Sequence, residues 1–226
     1  MRRKGILMIR TDVYPEMEAE WNRWYDSRHI ADRLKIPGFS SVRRFVAIEG
    51  EPKYLTIYEL TDVAVLNSED YLRLRDKESS LPATSFEVQT AKLPNFARGL
   101  YEQIYPEQEE YRVPKTDVVF TIGHDIPPNR EEEFNAWYNT EHIPAMKRVP
   151  GFLTARRFRA AEVQLPGRAG ARMSGPQYCA VYDLESKEVL QSEAFKREKD
   201  SPWSSWVRSW YTRRFRILGQ RIYPKI

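Results

Sequence analysis

The chain carries one pattern twice. Trp24-Tyr25-Asp26-Ser27-Arg28-His29-Ile30 returns as Trp137-Tyr138-Asn139-Thr140-Glu141-His142-Ile143, Pro37-Gly38-Phe39 as Pro150-Gly151-Phe152, and Arg43-Arg44-Phe45 as Arg156-Arg157-Phe158, each 113 residues later. Without a gap, residues 4–47 match 117–160 at 17 of 44 positions. From Tyr54 the offset becomes 124, pairing Tyr54, Tyr58 and Leu60 with Tyr178, Tyr182 and Leu184. The eleven extra residues fall within 162–176, whose Gly, Ala, Arg and Pro suit a loop insertion. The copies close on Ile104-Tyr105-Pro106 and Ile222-Tyr223-Pro224. A repeat of this length makes two similar units the expectation, residues 1–110 and 111–226, joined by a charged linker near Glu107–Lys115. The total of 226 residues suits one large domain or two small ones.

Within each copy the hydrophobic period alternates. Gly5–Thr11 and Asp117–His124 read as strands, and Pro15–Leu34 and Pro128–Met146 have helical spacing. Pro37-Gly38 and Pro150-Gly151 place proline and glycine as a type II turn requires. Strands follow at Phe39–Ile48, Tyr54–Leu60, Phe152–Ala161 and Tyr178–Leu184, then helices at Ser68–Lys77 and Ser192–Lys199. Final strands cover Arg98–Tyr105 and Arg213–Tyr223. Each copy is therefore β-α-β-β-α-β, the ferredoxin-like unit. A four-stranded sheet with helices on one face leaves its other face bare, so the two sheets are expected to bury those faces on each other within one α+β chain. Open strand edges could still pair two chains, so a monomer or a homodimer is expected.

Composition excludes several function classes. One cysteine, Cys179, allows no internal disulfide, and three histidines beside it make a structural metal site unexpected. The apolar run Ile6–Ile9 is too short for a signal peptide or a membrane span, so a cytoplasmic protein without a membrane partner is expected. A net charge of +4 without any nucleic-acid motif points to solubility or an anionic ligand rather than to nucleic acid. Gly-rich phosphate loops and nucleophile elbows do not occur.

The residues that can carry chemistry lie in the repeated motif. Trp21, Tyr25 and His29 share a helical face, as do Phe134, Tyr138 and His142, with Trp24 and Trp137 one step round. The histidines can exchange a proton near neutrality, and the aromatics can stack a flat substrate or simply pack the core. His124 stands where the first copy has Thr11, followed by Asp125, which either orients a histidine or caps a helix. On the strands, one arginine of each pair, Arg44 or Arg157, can hold a carboxylate, unless both sit in internal salt bridges. Tyr58 and Tyr182 can point hydroxyls into the same space.

Several differences favour the second copy as the more active. Glu141 beside His142 is placed to raise its pKa, Pro144 suggests that His142 ends a helix, and Trp203, Trp206 and Trp210 share a helical face that seals the core or roofs a pocket. Losing His142 is therefore expected to cost more turnover than losing His29.

The Trp-Tyr-x-x-x-His-Ile, Pro-Gly-Phe and Arg-Phe pattern resembles the dimeric α+β barrel superfamily, and within it the EthD-like branch. The resemblance implies an intrachain barrel made by tandem duplication, with a ligand between sheet and helices and a histidine doing the proton chemistry. It spans cofactor-free monooxygenases, isomerases, cyclases, decarboxylases and haem enzymes. The function expected is a cofactor-independent enzyme of lyase, isomerase, cyclase or decarboxylase type. Its partner would be a small aromatic, polyketide-like or carboxylate-bearing substrate, with His142, His29 or His124 as acid or base. The alternatives are a non-catalytic binding protein and a cofactor-free or haem-assisted monooxygenase.

Overall fold

The computed structural model describes residues 3–107, 111–163 and 173–226. Residues 164–172 of the expected insertion and 108–110 of the expected linker lie outside the described residues. The first half runs β1 (Gly5–Thr11), α1 (Glu18–Trp24), a π-turn (Tyr25–His29), α2 (Ile30–Leu34), β2 (Phe39–Glu49), β3 (Tyr54–Leu60), α3 (Glu69–Ser79), α4 (Phe86–Gln89) and β4 (Ala97–Tyr105). The second half runs β5 (Val118–Asp125), α5 (Glu131–Trp137), a π-turn (Tyr138–His142), α6 (Ile143–Arg148), β6 (Phe152–Ala160), β7 (Tyr178–Leu184), α7 (Glu193–Glu198), α8 (Pro202–Arg208) and β8 (Thr212–Tyr223).

Local chemistry explains the boundaries. Ser68 and Ser192 cap α3 and α7 by accepting from Tyr71 N and Phe195 N. Gly38 and Gly151 hold φ of 109° and 92° in the Pro-Gly turns, and a Cβ at either would collide with Val65 or Val189.

The eight antiparallel strands close into one barrel in the order β1-β3-β2-β8-β5-β7-β6-β4. Strands β4-β1-β3-β2 come from the first half and β8-β5-β7-β6 from the second. The junctions β2–β8 and β4–β6 join the halves. Every described strand therefore has two neighbours, which corrects the expectation of free edges: among the described residues no strand edge is left for pairing two chains.

Period-2 alternation sorts the side chains into layers. Ile6, Met8, Leu55, Ile57, Phe158, Cys179 and Val181 fill the barrel interior. Leu7, Tyr54, Tyr58 and Leu60 face outward under the helices of the first half, and Ala155, Tyr178, Tyr182 and Leu184 do so in the second.

Among these apolar layers the barrel buries a crossed ion cluster. Arg43 of β2 donates to Asp183 of β7, and Arg156 of β6 donates to both oxygens of Glu59 of β3, at 2.8 and 2.9 Å. Thus each arginine meets a carboxylate from the other half. Arg43 also lies 3.5 Å from Glu59. Thr154 and Tyr111 donate to Asp183 at 2.5 and 2.7 Å, and the Arg156 guanidinium lies 3.3 Å from the centre of the Tyr111 ring. Burial alone would lower the Arg43 pKa and raise that of Asp183. The opposite charges outweigh it and shift both the other way.

Removing one partner of a buried pair strands the other charge. Asp183→Ala is expected to lower the unfolding free energy by about 3–5 kcal/mol. Urea denaturation checks this; a loss below about 1 kcal/mol, the scale of an exposed pair, would contradict it.

Candidate functional site

The π-turn decides what each first helix presents. Its wider loop bonds Ile30 N to Tyr25 O and Ile143 N to Tyr138 O, so residues five apart come face to face. Hence Trp24 and His29 have ring centroids 4.6 Å apart, as do Trp137 and His142. Tyr25 lies 4.5 Å from His29, and Tyr138 lies 5.0 Å from His142. This corrects the expectation that His142 ends a helix. Ile143 has φ −61° and ψ −47°, and Pro144 falls in the first turn of α6, where a missing N–H is tolerated.

A cavity of about 520 Å³ opens in the first half, between the outer face of β1, β3 and β4 and the helices α1 to α4. Trp21, Trp24, Tyr25 and His29 form one wall, and Leu7, Thr11, Tyr58 and Arg98 form the floor. Tyr71, Arg75 and Glu78 come from α3. Tyr58 donates to Tyr25 Oη at 3.2 Å. His29 keeps part of its surface at the cavity while its Nδ1 is buried without a partner. Burial first, then the cations Arg33, Arg44, Arg75 and Arg98, hold its pKa well below the usual histidine value. The imidazole is therefore neutral at neutral pH. Burial likewise raises the Tyr58 phenol.

The cavity's ionic groups are Arg33, Arg75, Arg98, Glu78 and Glu87. Glu78 takes Arg33 in a two-pronged pair at 2.6 and 2.9 Å and Arg75 at 3.3 Å. Arg28 takes Glu87 at 3.2 Å. Arg98 is 5% exposed and donates to Tyr71 Oη at 2.6 Å, with no carboxylate partner among the described residues.

In the second half the corresponding space is filled. His124, at the position of Thr11, is 2% exposed and packs 4.5 Å from the Tyr211 ring and 5.7 Å from Phe134. Met146 and Phe195 stand where the first half has Arg33 and Tyr71. Trp203, Trp210 and Tyr211 pack against this core, whereas Trp206 is 48% exposed and donates to Glu133. Trp203 and Trp210 thus pack on a core, and Trp206 does not share their face.

Other candidate residues are placed differently from expectation. Arg44 lies against the Trp21 and Tyr25 rings and bonds Asp26 and Asn22, while Arg157 bonds Asn139 and Asn135. Both fasten helix to strand rather than line the cavity. Asp125 accepts from Gln177 N at 2.8 Å and meets Arg214 at 3.3 Å, so it neither caps a helix nor orients His124. Glu141 turns to Ser201, at 2.5 Å. Nothing then raises His142: burial, Arg208 and Arg157 push it down to about 3. Tyr182 donates to Tyr138 at 3.2 Å, the closed equivalent of the Tyr58–Tyr25 pair. Among the described residues, no three His, Cys, Asp or Glu side chains cluster to hold a metal. No helix among them is long and apolar enough to cross a membrane.

The residues that sequence reasoning missed are Arg98, Tyr71, Arg33, Arg75 and Glu78. Arg98 had a legible signal: it shares a strand face with Leu100, which packs in the helix-covered core. A lone cation on such a face calls for a partner.

The family described as Domain of unknown function (DUF4286) matches residues 117–215, close to the span of the second half. No curated protein matches the chain. Solved structures share its fold at low identity. An anthrone oxidase-like protein is 14% identical with a TM-score of 0.63, covering 99% of this chain and 92% of its own. A mutant chlorite dismutase from Candidatus Nitrospira defluvii is 7% identical with a TM-score of 0.60, covering 98% and 92%. A heme-binding protein from Thermus thermophilus is 13% identical with a TM-score of 0.54, also covering 98% and 92%. The chain thus has the α+β barrel fold of these proteins.

Proposed function

We propose that this protein is a small-molecule enzyme that binds an aromatic or polyketide-like compound in the first-half cavity and moves a proton on it through His29. The observation that carries the reading is the conjunction in one cavity of a neutral imidazole, a tyrosine pair and aromatic walls. His29, neutral at neutral pH, accepts a proton from carbon beside a carbonyl, and the Tyr25 and Tyr58 hydroxyls steady the resulting enolate oxygen. Lyase, isomerase and cyclase reactions can begin with that step, and a decarboxylase runs it in reverse, with protonated His29 returning a proton to the enolate left when CO2 departs. Where the sequence favoured His142, the cavity lined by His29 favours His29, while His124 is buried in the second half and His142 is partly buried against Trp137 and Tyr138.

The chain further reads as two ferredoxin-like units joined by tandem duplication, in the manner of the EthD-like branch. The repeated sequence and the matching strand order of the two halves support this reading. Haem chemistry, suggested by the heme-binding neighbour, fits these residues poorly. A ligating histidine ordinarily gives its second ring N–H to a carboxylate or carbonyl. His29 Nδ1 is buried without one. No step is therefore derived through haem.

The test is deuterium exchange from D2O into a panel of aromatic and polyketide-like carbonyl compounds, followed by mass spectrometry. The wild type is expected to exchange at least one of them. His29→Gln should slow it by about 10²-fold or more, and His142→Gln far less, with folding verified by circular dichroism. Binding without exchange would leave a ligand-binding protein instead.

The neutral histidines also set a pH dependence. The His124 pKa is about 3 in the fold, through burial first, against 6.5 as its ordinary value. Its stabilising contribution is complete above 6.5 and falls as pH drops, because between 6.5 and about 3 the unfolded chain binds a proton the fold refuses. At pH 5 this removes roughly 2 kcal/mol, and His29 and His142 act in the same direction. Urea denaturation at pH 7 and pH 5 is expected to show the loss, with a smaller slope in His124→Phe. An unchanged slope would mean that His124 is protonated in the fold.

A further inference from the structure

We propose that Arg98 is the anchor for a substrate carboxylate, so that the cavity selects aromatic acids over their neutral analogues. The inference rests on the first-half cavity as the binding site and adds the chemistry of what enters it. Its starting point is a charge imbalance. Arg33 and Arg75 share Glu78, and Glu87 is taken by Arg28, so both carboxylates on the cavity wall are occupied. Arg98 has only the neutral Tyr71 hydroxyl. A buried guanidinium is costly unless a counter-charge meets it, and none comes from the described protein.

Geometry narrows the class of that counter-charge. Tyr71 uses Nη2 and fixes the guanidinium against α3. Tyr71 takes one of the two Nη2 hydrogens, and neither Nε nor Nη1 donates to a described residue, so the edge that pairs the second Nη2 hydrogen with its neighbouring N–H is free for a planar anion. A carboxylate matches that edge with two parallel hydrogen bonds. Trp24, Val88 and Leu93 supply apolar wall for the rest of the ligand, and His29 lies on the same cavity. At about 520 Å³ the space suits a compound of one or two rings.

The second half provides an internal comparison. In strand register, Arg98 lies opposite Ile9 as Arg216 lies opposite Ile122. Arg216 reaches outward instead and pairs with Glu49 at 2.9 Å. In the second half the equivalent arginine is neutralised by the protein itself.

Isothermal titration calorimetry with 1-naphthoate and 1-naphthamide, two probes of one shape and different charge, tests this. The wild type is expected to bind 1-naphthoate about tenfold or more tighter than the amide. Arg98→Gln should bring the two within about threefold by weakening the acid alone, and Arg216→Gln should change neither. Equal binding of both probes by the wild type overturns the carboxylate assignment and leaves the cavity in place. Binding of neither overturns the cavity reading and this one with it. An acid preference that survives Arg98→Gln overturns the role of Arg98. If circular dichroism shows Arg98→Gln to be unfolded, Arg98→Lys decides. It keeps the charge and loses the fork, so a roughly tenfold weaker acid supports the proposal and unchanged binding overturns it.

Discussion

The crossing of Arg43 to Asp183 and Arg156 to Glu59 is the interaction on which the rest of the structure depends. Within the first half Arg43 reaches Glu59 only at 3.5 Å, whereas the closer hydrogen-bonded pairs are made between the halves. Together they neutralise each other across the barrel. Apolar burial in the interior is indifferent to which strand lies beside which, because hydrophobic attraction has no direction. Charge pairing in a dry interior is not indifferent, since a misplaced partner leaves a charge stranded. The cluster therefore ties β2 and β3 of one half to β7 and β6 of the other across the barrel interior.

With the interior occupied by packing and ion pairs, chemistry is confined to the outer faces, under the helices. Both faces begin from the same frame: a π-turn, a histidine ring against a tryptophan ring, and two tyrosines joined at their hydroxyls. They diverge through a few exchanges of volume and charge. Thr11 against His124 opens or fills the strand end. Arg33 against Met146 and Tyr71 against Phe195 decide whether the roof is polar or greasy. The first face ends as a cavity with a surplus of positive charge. The second ends as a core whose histidines are desolvated.

Much of this frame was legible in the sequence because the repeat reports each element twice. Strands β1, β3 and β7 match their expected limits, and Pro37-Gly38 and Pro150-Gly151 mark the turns. The π-turn was not legible, since a run spaced for an α-helix gives no sign that one turn holds an extra residue. That one residue moved Trp24 from beside the histidine face onto it. Nor was the location of the cavity legible. His124, Glu141 and the tryptophans looked like additions to a pocket, but a bulky side chain on an inward face fills space as readily as it lines it. Only the packing of Tyr211 on His124 and the turn of Glu141 to Ser201 distinguish the two cases.

The histidines show why a repeated residue is weak evidence of a catalytic role. His29 and His142 share a position, a π-turn, a neighbouring tryptophan ring and an orphaned Nδ1, and burial depresses the pKa of both. Nothing local separates them. The difference lies across the space in front of each ring. His29 faces a cavity bordered by Arg33, Arg75 and Arg98, whereas the Arg33 and Tyr71 positions in front of His142 hold Met146 and Phe195. A depressed pKa in a filled core marks only a desolvated side chain. The same depression beside an accessible cavity with uncompensated cations leaves a neutral base facing the place where an anion would bind. Function in such a duplicated frame is therefore decided by the residues that differ between the halves, because the shared ones hold the helix to the sheet on both sides.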